Sequence, residues 1–324
     1  MDKIKWGILG TANIARWATI PGIRLSTNSE LYAVAGRNLD KAKGYAEEYG
    51  IKKYYGSYEE LLLDNDVQAI YIPLPNNLHK KWVIEALKAK KHVLCEKPLA
   101  LNAKEAEEMF KTAKDNGVNL MEAYAYLHSP YIKSLKDDIK SGIIGDVDFI
   151  DTAFVTQGYK EDIRLYKELG GGALYDLGCY CTTMILSLID DEVVSAKACA
   201  EFTELGVDEI TTGFICFKNG ARASFNVGMI LGKNTNSRFD RLYVHGTKGC
   251  IKSEIEYNQQ GSLSYRIVTP EGVTERNVEV PQNYSLEIEQ LANCILKGEK
   301  PFITSEFSIK NAKVLDTLFK EIGY

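Results

Sequence analysis

Ile4-Lys5-Trp6-Gly7-Ile8-Leu9-Gly10-Thr11-Ala12-Asn13-Ile14-Ala15 is the stretch that sets the fold class. An apolar run ends at Gly10, and a helical stretch follows through Arg16 and Trp17. Strand, tight turn and helix in that order are the context in which a dinucleotide fingerprint carries meaning. The turn reads Gly10-x-Ala12-x-x-Ala15, with alanines where two glycines are usual. Alanine at the third position still permits close helix packing. Alanine at the second adds a methyl where a pyrophosphate would approach, which is tolerable if its φ stays negative. Amides at the helix start would hold the diphosphate, making Gly10, Thr11, Ala12, Asn13 and Ile14 the expected cradle. Many βα turns contain one glycine, so this turn does not decide alone.

Working outward, Leu31 to Asn38 reads as a second strand ending in Gly36-Arg37-Asn38, with Lys41 one turn on. An Asp or Glu near this strand end accepts the ribose hydroxyls in NAD sites. Here an arginine stands instead, and its forked donors suit a 2′-phosphate. NADP is therefore favoured over NAD, against the plain reading of a surface arginine. Lys41–Tyr49 reads as a helix closed by Gly50. Val67–Pro73 is a strand, followed by the loop Leu74-Pro75-Asn76-Asn77-Leu78-His79 and a helix whose Trp82, Val83, Ala86 and Leu87 form a core stripe. His92–Glu96 is the next strand, running into Lys97 and Pro98, so a lysine is delivered to a strand's carboxyl end, where ligands bind in open α/β sheets. Asn102 with Glu105 caps the helix Ala103–Lys114, and Val118–Ala123 is one more strand. Five or six strands alternating with helices predict a doubly wound parallel α/β sheet, the Rossmann arrangement, over residues 1–123.

After Ala123 the pattern changes. Residues 131–141 form an amphipathic helix, and strand-like runs follow at 146–156, 193–202, 209–218, 221–227, 240–244, 249–256 and 263–269. Asn219-Gly220 is a hairpin signal, and residues 233–237 read as a loop. Residues 124–324 are thus expected to be an α+β domain with a large, mostly antiparallel open sheet. Helices at 285–296 and 308–322 finish the chain. Within this part, Leu169-Gly170-Gly171-Gly172-Ala173-Leu174-Tyr175-Asp176-Leu177-Gly178-Cys179-Tyr180 places three glycines before a helix. Asp176 and Tyr180, four apart, would share a helix face; a core tyrosine beside a helix-start acid is the plain alternative.

The 324 residues carry net charge −5, are 45% hydrophobic and show neither repeat nor basic patch, which argues against nucleic acid as a partner. Seven scattered cysteines fit a reducing cytoplasm. The N-terminus enters a strand within a few residues, leaving no room for a signal peptide, and no apolar run is long enough to span a bilayer. Four dispersed histidines and Cys179-x-Cys181 supply no zinc spacing, so no metal is expected.

The order GILG-x-A-x-IA, AVAGR, IYIPLPNNLH, HVLCEKPLA, LMEA resembles the Gfo/Idh/MocA family of nicotinamide-dependent oxidoreductases. In that family the lysine matching Lys97 is catalytic, the bond before the residue matching Pro98 is commonly cis, and residues like Pro73, Leu74, Asn76, Asn77, His79 and Glu96 line the cofactor. GGGALYDLGCY is similar to the family motif whose last residue touches the reacting hydroxyl. Tyrosine there, as at Tyr180, marks the subgroup of dihydrodiol dehydrogenase, NADP-dependent D-xylose dehydrogenase and glucose–fructose oxidoreductase. The resemblance implies Tyr126 and Arg164 as substrate contacts and a homodimer built on the second domain's sheet, with the final helices packing back on the nucleotide domain. One departure concerns the substrate: after the Met-Glu-Ala strand many relatives have aromatic-Arg-x-His-Pro, where this chain has Leu127 and Ser129 in place of the arginine and histidine.

The implied reaction is hydride transfer between NADP(H) and a carbinol carbon of a sugar or cyclic diol. Lys97 and Tyr180 would share the hydroxyl proton, with Asp176 orienting a neighbour. Free lysine and tyrosine side chains titrate near pH 10, and burial beside a cationic nicotinamide would bring them lower. Two rivals use the same scaffold: glycoside cleavage through tightly held NAD, and non-catalytic nucleotide sensing.

Overall fold

The computed structural model describes residues 3–232, 237–255 and 257–324. Most of the loop expected at 233–237, and Glu256 at the end of an expected strand, lie outside the described residues. The chain divides into two compact units: residues 1–128 with 282–309, and residues 129–281 with 310–324.

The first unit is built on a six-stranded sheet. Its strands are β1 (Ile4–Leu9), β2 (Ser29–Ala35), β3 (Lys53–Tyr55), β4 (Ala69–Ile72), β5 (His92–Glu96) and β6 (Leu120–Ala123), in the order β3-β2-β1-β4-β5-β6. Every pairing is parallel. Parallel strands buried on both faces read as unbroken apolar runs, and Ile4, Trp6, Ile8 and Leu9 are wholly buried. The helices begin and end where their caps direct. Asn38 accepts the Lys41 amide at the start of α2 (Leu39–Tyr49), which Gly50 closes at φ +59°. Before α5 (Ala103–Asn116), Asn102 accepts the Glu105 amide while Glu105 accepts that of Leu101, so two amides at the helix start are satisfied by side chains. The helices α1 (Ile20–Leu25), α3 (Tyr58–Leu62), α4 (Asn76–Lys88) and α8 (Asn283–Lys297) complete the layers. Gly22 of α1 packs so closely on α8 that a Cβ would lie 2.9 Å from the Tyr284 carbonyl carbon.

The second unit holds an eight-stranded sheet. Its members are β7 (Val147–Gln157), β8 (Val193–Phe202), β9 (Asp208–Phe217), β10 (Arg222–Leu231), β11 (Arg238–Gly246), β12 (Gly249–Ser253), β13 (Gly261–Thr269) and β14 (Gly272–Val280). The order is β14-β13-β12-β11-β7-β10-β9-β8. All neighbours are antiparallel except β7 and β10, the parallel pair near the middle. The Asn219-Gly220 turn joins β9 to β10 with Gly220 at φ +93°. Helix α6 (Pro130–Lys140) packs on β14 and α7 (Cys179–Leu188) on β7 and β10. Helix α9 (Ser305–Glu321) ends the chain. Among the strands and α-helices of the described residues, three went unread in the sequence: β3 and α3, each five residues or fewer, and the charged edge strand β14.

Candidate active site

In the first unit the carboxyl ends of β1, β2, β4 and β5 gather the expected cofactor residues. Gly10 takes φ +107°, its amide donates to the Ala35 carbonyl at 2.8 Å, and a Cβ on it would press within 3.1 Å of Leu74. Positive φ in this turn falls on Gly10 and not on Ala12, so the alanine costs no backbone strain. Helical backbone begins at Asn13, passes through a π-helical turn at Ala15–Thr19, and continues into α1. Thr11, Ala12, Asn13 and Ile14 keep solvent access at its start. A concave, glycine-permitted turn ahead of helical amides fits a diphosphate. Gly36 is buried, while Arg37, Asn38 and Lys41 are exposed beyond it. Arg37 makes no ion pair among the described residues, leaving its fork available. Asn38 spends its carbonyl oxygen on the α2 cap.

Lys97 follows β5, joined to Pro98 by a cis peptide bond. Three neighbours fix this turn. The Glu96 carboxylate accepts the Tyr71 hydroxyl at 2.5 Å. The fully buried His79 sets one ring nitrogen 2.9 Å from the Pro98 carbonyl oxygen and the other 2.8 Å from that of Leu74. Burial holds the ring below its usual pKa, and the neutral imidazole, with a single N–H, donates to one of these two carbonyls at a time, so His79 acts on the site through Leu74 and Pro98. Glu122, also buried, accepts the Leu99 amide at 2.8 Å, and burial pushes its carboxyl up to about 7. Pro73 is buried, Leu74 and Asn76 are half-buried at the mouth of α4, and Tyr126 is buried edge-on to Tyr124.

In the second unit, Asp176 rides on a π-helical turn, Leu174–Gly178, that leads into α7. The expected plain α-helical register is replaced by a wider turn, a form common at functional sites. The turn aims Asp176 at Arg164, whose Nε donates to it at 2.6 Å, while Nη1 donates to Asp162 at 3.0 Å. Asp176 is the main cause raising the Arg164 pKa. Arg164, a third exposed, is thus held by two carboxylates, and its open edge is what a substrate could meet. Tyr180 packs edge-on to Phe154 at 5.3 Å, and its hydroxyl accepts from Asn258 Nδ2 at 3.3 Å. Phe154 in turn stacks on Tyr257.

Tyr71 and Glu122 escaped the sequence reading, as did two buried acids, Asp208 and Glu287. Glu287 had a signal, since Tyr284, Glu287, Ile288 and Leu291 share one helical face. No group of His, Cys, Asp or Glu suited to a metal occurs among the described residues, and no helix there is long and apolar enough to cross a membrane.

Residues 4–124 match the model of an oxidoreductase family with an NAD-binding Rossmann fold, and residues 132–252 match the Gfo/Idh/MocA C-terminal domain. The chain belongs to the Gfo/Idh/MocA family of oxidoreductases. Among its relatives, trans-1,2-dihydrobenzene-1,2-diol dehydrogenase of Xenopus tropicalis is 33% identical, covering 98% of each chain. A D-xylose 1-dehydrogenase (NADP(+)) of Haloferax volcanii is 30% identical over 97% of this chain and 96% of its own. The crystal structure of a 3-ketoreductase from Actinomadura kijaniata, in complex with NADP and TDP-benzene, superimposes with a TM-score of 0.91 at 28% identity, covering 99% and 98% of the two chains.

Proposed function

We propose that this protein is an NADP(H)-dependent oxidoreductase that moves a hydride between the nicotinamide and a carbinol or carbonyl carbon of a sugar or cyclic diol. The observation that carries the reading is Lys97: a lysine at the carboxyl end of an interior parallel strand, in a turn fixed by Glu96, His79 and Glu122. Such fixing is wasted on an ordinary surface lysine. Relatives named as dihydrodiol and xylose dehydrogenases support the substrate class, and Arg37 beside the buried Gly36 supports NADP.

NADP, when bound, supplies the two-electron acceptor or donor. In the oxidative direction the substrate's C–H bond breaks as hydride leaves, its O–H proton departs, and a C=O bond forms. Tyr180, as the phenolate, would take that proton at its phenolic oxygen and, as the phenol, return it in reduction; Lys97, as the ammonium, would polarise a substrate oxygen. Asp176, ion-paired with Arg164, orients the guanidinium toward a neighbouring hydroxyl. Proton transfer of this kind contributes about 10²–10⁴-fold to rate.

The test is turnover of NADP with D-xylose, D-glucose and a trans-cyclohexanediol, followed by the absorbance of the reduced nicotinamide. Lys97→Met and Tyr180→Phe should each lose at least about 100-fold in kcat while binding NADP as wild type does. Near-normal turnover in Lys97→Met would remove the central claim.

All seven cysteines are described and none forms a disulfide, which supports a cytoplasmic setting; a periplasmic or secreted pool in fractionated cells would contradict it. Phe214, Ile230 and Phe239 are exposed on β9, β10 and β11, and this apolar face supports a homodimer formed through the second unit's sheet. Sedimentation should give twice the chain mass, and a monomer at micromolar concentration would refute it.

A further inference from the structure

The helical segment that carries Tyr180 has no cap of its own. Ala173, before the π-helical Leu174–Gly178 turn, contributes no side-chain cap bond. The leading amides of a helix need acceptors from elsewhere when the local chain offers none. Here the acceptor arrives from 34 residues away: Asp208, at the start of β9, accepts the Leu174 amide at 2.8 Å through Oδ2. The Ala173 amide lies near the same carboxylate, whose Oδ1 makes no hydrogen bond among the described residues. Thr211 donates its hydroxyl to Oδ2 at 2.6 Å, and Asp208 has no solvent exposure.

We propose that Asp208 is a positioning residue for the hydride-transfer site: by holding the Leu174 amide at the head of this segment it fixes where Tyr180, six residues further on, presents its phenol. The proposal rests on the reading of Tyr180 as the proton carrier.

The glycine run takes its meaning from this grip. Gly172 stands at φ +111°, and a Cβ there would lie 2.1 Å from Asp208 Oδ1. A Cβ on Gly171 would lie 2.4 Å from the Arg164 carbonyl oxygen. The two glycines are what let a carboxylate and a carbonyl close on the loop from opposite sides. The Gly172 amide donates to that Arg164 oxygen at 2.8 Å, and the Tyr324 hydroxyl donates to the Gly171 carbonyl at 2.9 Å. The loop is therefore pinned at Gly171, Gly172 and Leu174 immediately before the catalytic segment.

The carboxylate is kept at a cost. Burial pushes the Asp208 carboxyl up to about 6, a penalty that an uncharged cap would not incur. What the charge brings in return is a stronger bond to the Leu174 amide, since charge-assisted hydrogen bonds are shorter and tighter than neutral ones, together with attraction to the positive end of the helix dipole. Tyr324, whose phenol is pushed up first by burial and then by the Asp208 charge, is a titratable group set against it.

The experiment measures kcat, KM and NADP affinity for Asp208→Ala, Asp208→Asn and Thr211→Val, with Tyr180→Phe as reference, on whichever of D-xylose, D-glucose and trans-cyclohexanediol the wild type turns over. Asp208→Ala should lose about 10–100-fold in kcat, the scale expected for a misplaced catalytic group, with NADP affinity unchanged. Asp208→Asn keeps an acceptor of the same shape and should recover to within about threefold of wild type, a rescue that distinguishes positioning from bulk structure. Should Asp208→Ala fail to fold, Thr211→Val decides: a kcat lowered about threefold at unchanged NADP affinity supports the proposal, and an unchanged kcat overturns it. Wild-type turnover in a folded Asp208→Ala, or parallel loss of turnover and NADP affinity, also overturns it. Retained turnover in Tyr180→Phe would instead sink the assignment of the tyrosine, a failure visible apart from that of Asp208.

Discussion

Glu122 Oε1 accepts the Leu99 amide at 2.8 Å, two residues beyond Lys97, although both residues are buried and the acid lies on the neighbouring strand β6. The bond ties the Lys97-Pro98 turn to the sheet. Glu122→Ala should lower kcat about 10–100-fold and leave NADP affinity intact, whereas Glu122→Gln, which preserves an acceptor, should stay within about threefold of wild type. Steady-state kinetics with parallel cofactor titration decide the matter; equal activity in the alanine variant would show that the turn holds itself. Because burial raises this carboxyl from 4.5 to about 7, the stability its neutral form contributes is complete below pH 4.5 and is lost as pH rises through about 7.

Arg37 lies exposed past the end of β2, just after the buried Gly36. Removing its guanidinium should affect one cofactor only. Arg37→Ala is expected to reduce kcat/KM for NADP by about 10–100-fold while changing that for NAD by less than about threefold. A uniform fall with both nucleotides would place the arginine's role elsewhere.

Glu287 on α8 is wholly buried, and neither carboxyl oxygen has a hydrogen-bond partner among the described residues. Burial, reinforced by the nearby Glu96 charge, holds its pKa well above the ordinary carboxylate range. The folded state therefore retains a proton that the unfolded chain gives up. Its contribution to stability is full below the unfolded pKa and declines as pH rises toward the folded one. Glu287→Gln should remove that decline: measured from about pH 5 upward, the variant's advantage should grow with pH, by at most roughly 1.4 kcal/mol per pH unit. Melting curves that run parallel in the two proteins across that range would contradict this.

Much of the first unit could be read directly from the residues. Parallel strands buried on both faces leave uninterrupted apolar runs, and Asn38, Asn102, Gly50 and Gly117 mark helix ends by side-chain and backbone chemistry that is local. The short elements were harder. Strand β3 is three residues long, and α3 carries only its Ser57 cap, too brief for either periodicity to register. Strand β14 is exposed over residues 272–275, and the first of its covered positions, Arg276, is charged and pairs with Asp138 of α6, so apolar alternation does not mark it. Lys97 and Tyr180 were legible because their motifs are contiguous. Asp208 and Glu122 were not, because each acts on an amide far away in sequence, and nothing local separates such an acid from one on a solvated surface.

The parallel pairing of β7 with β10 requires a crossover, and α7, with Tyr180 in its first turn, lies within the segment that makes it. Two strands that meet across 64 intervening residues close at a greater entropic cost than the hairpin-joined pairs, and the helix between them packs on both. The tyrosine is thus mounted on the keystone of the second unit, and catalytic competence and the cooperative melting of this sheet should be gained and lost as a single event.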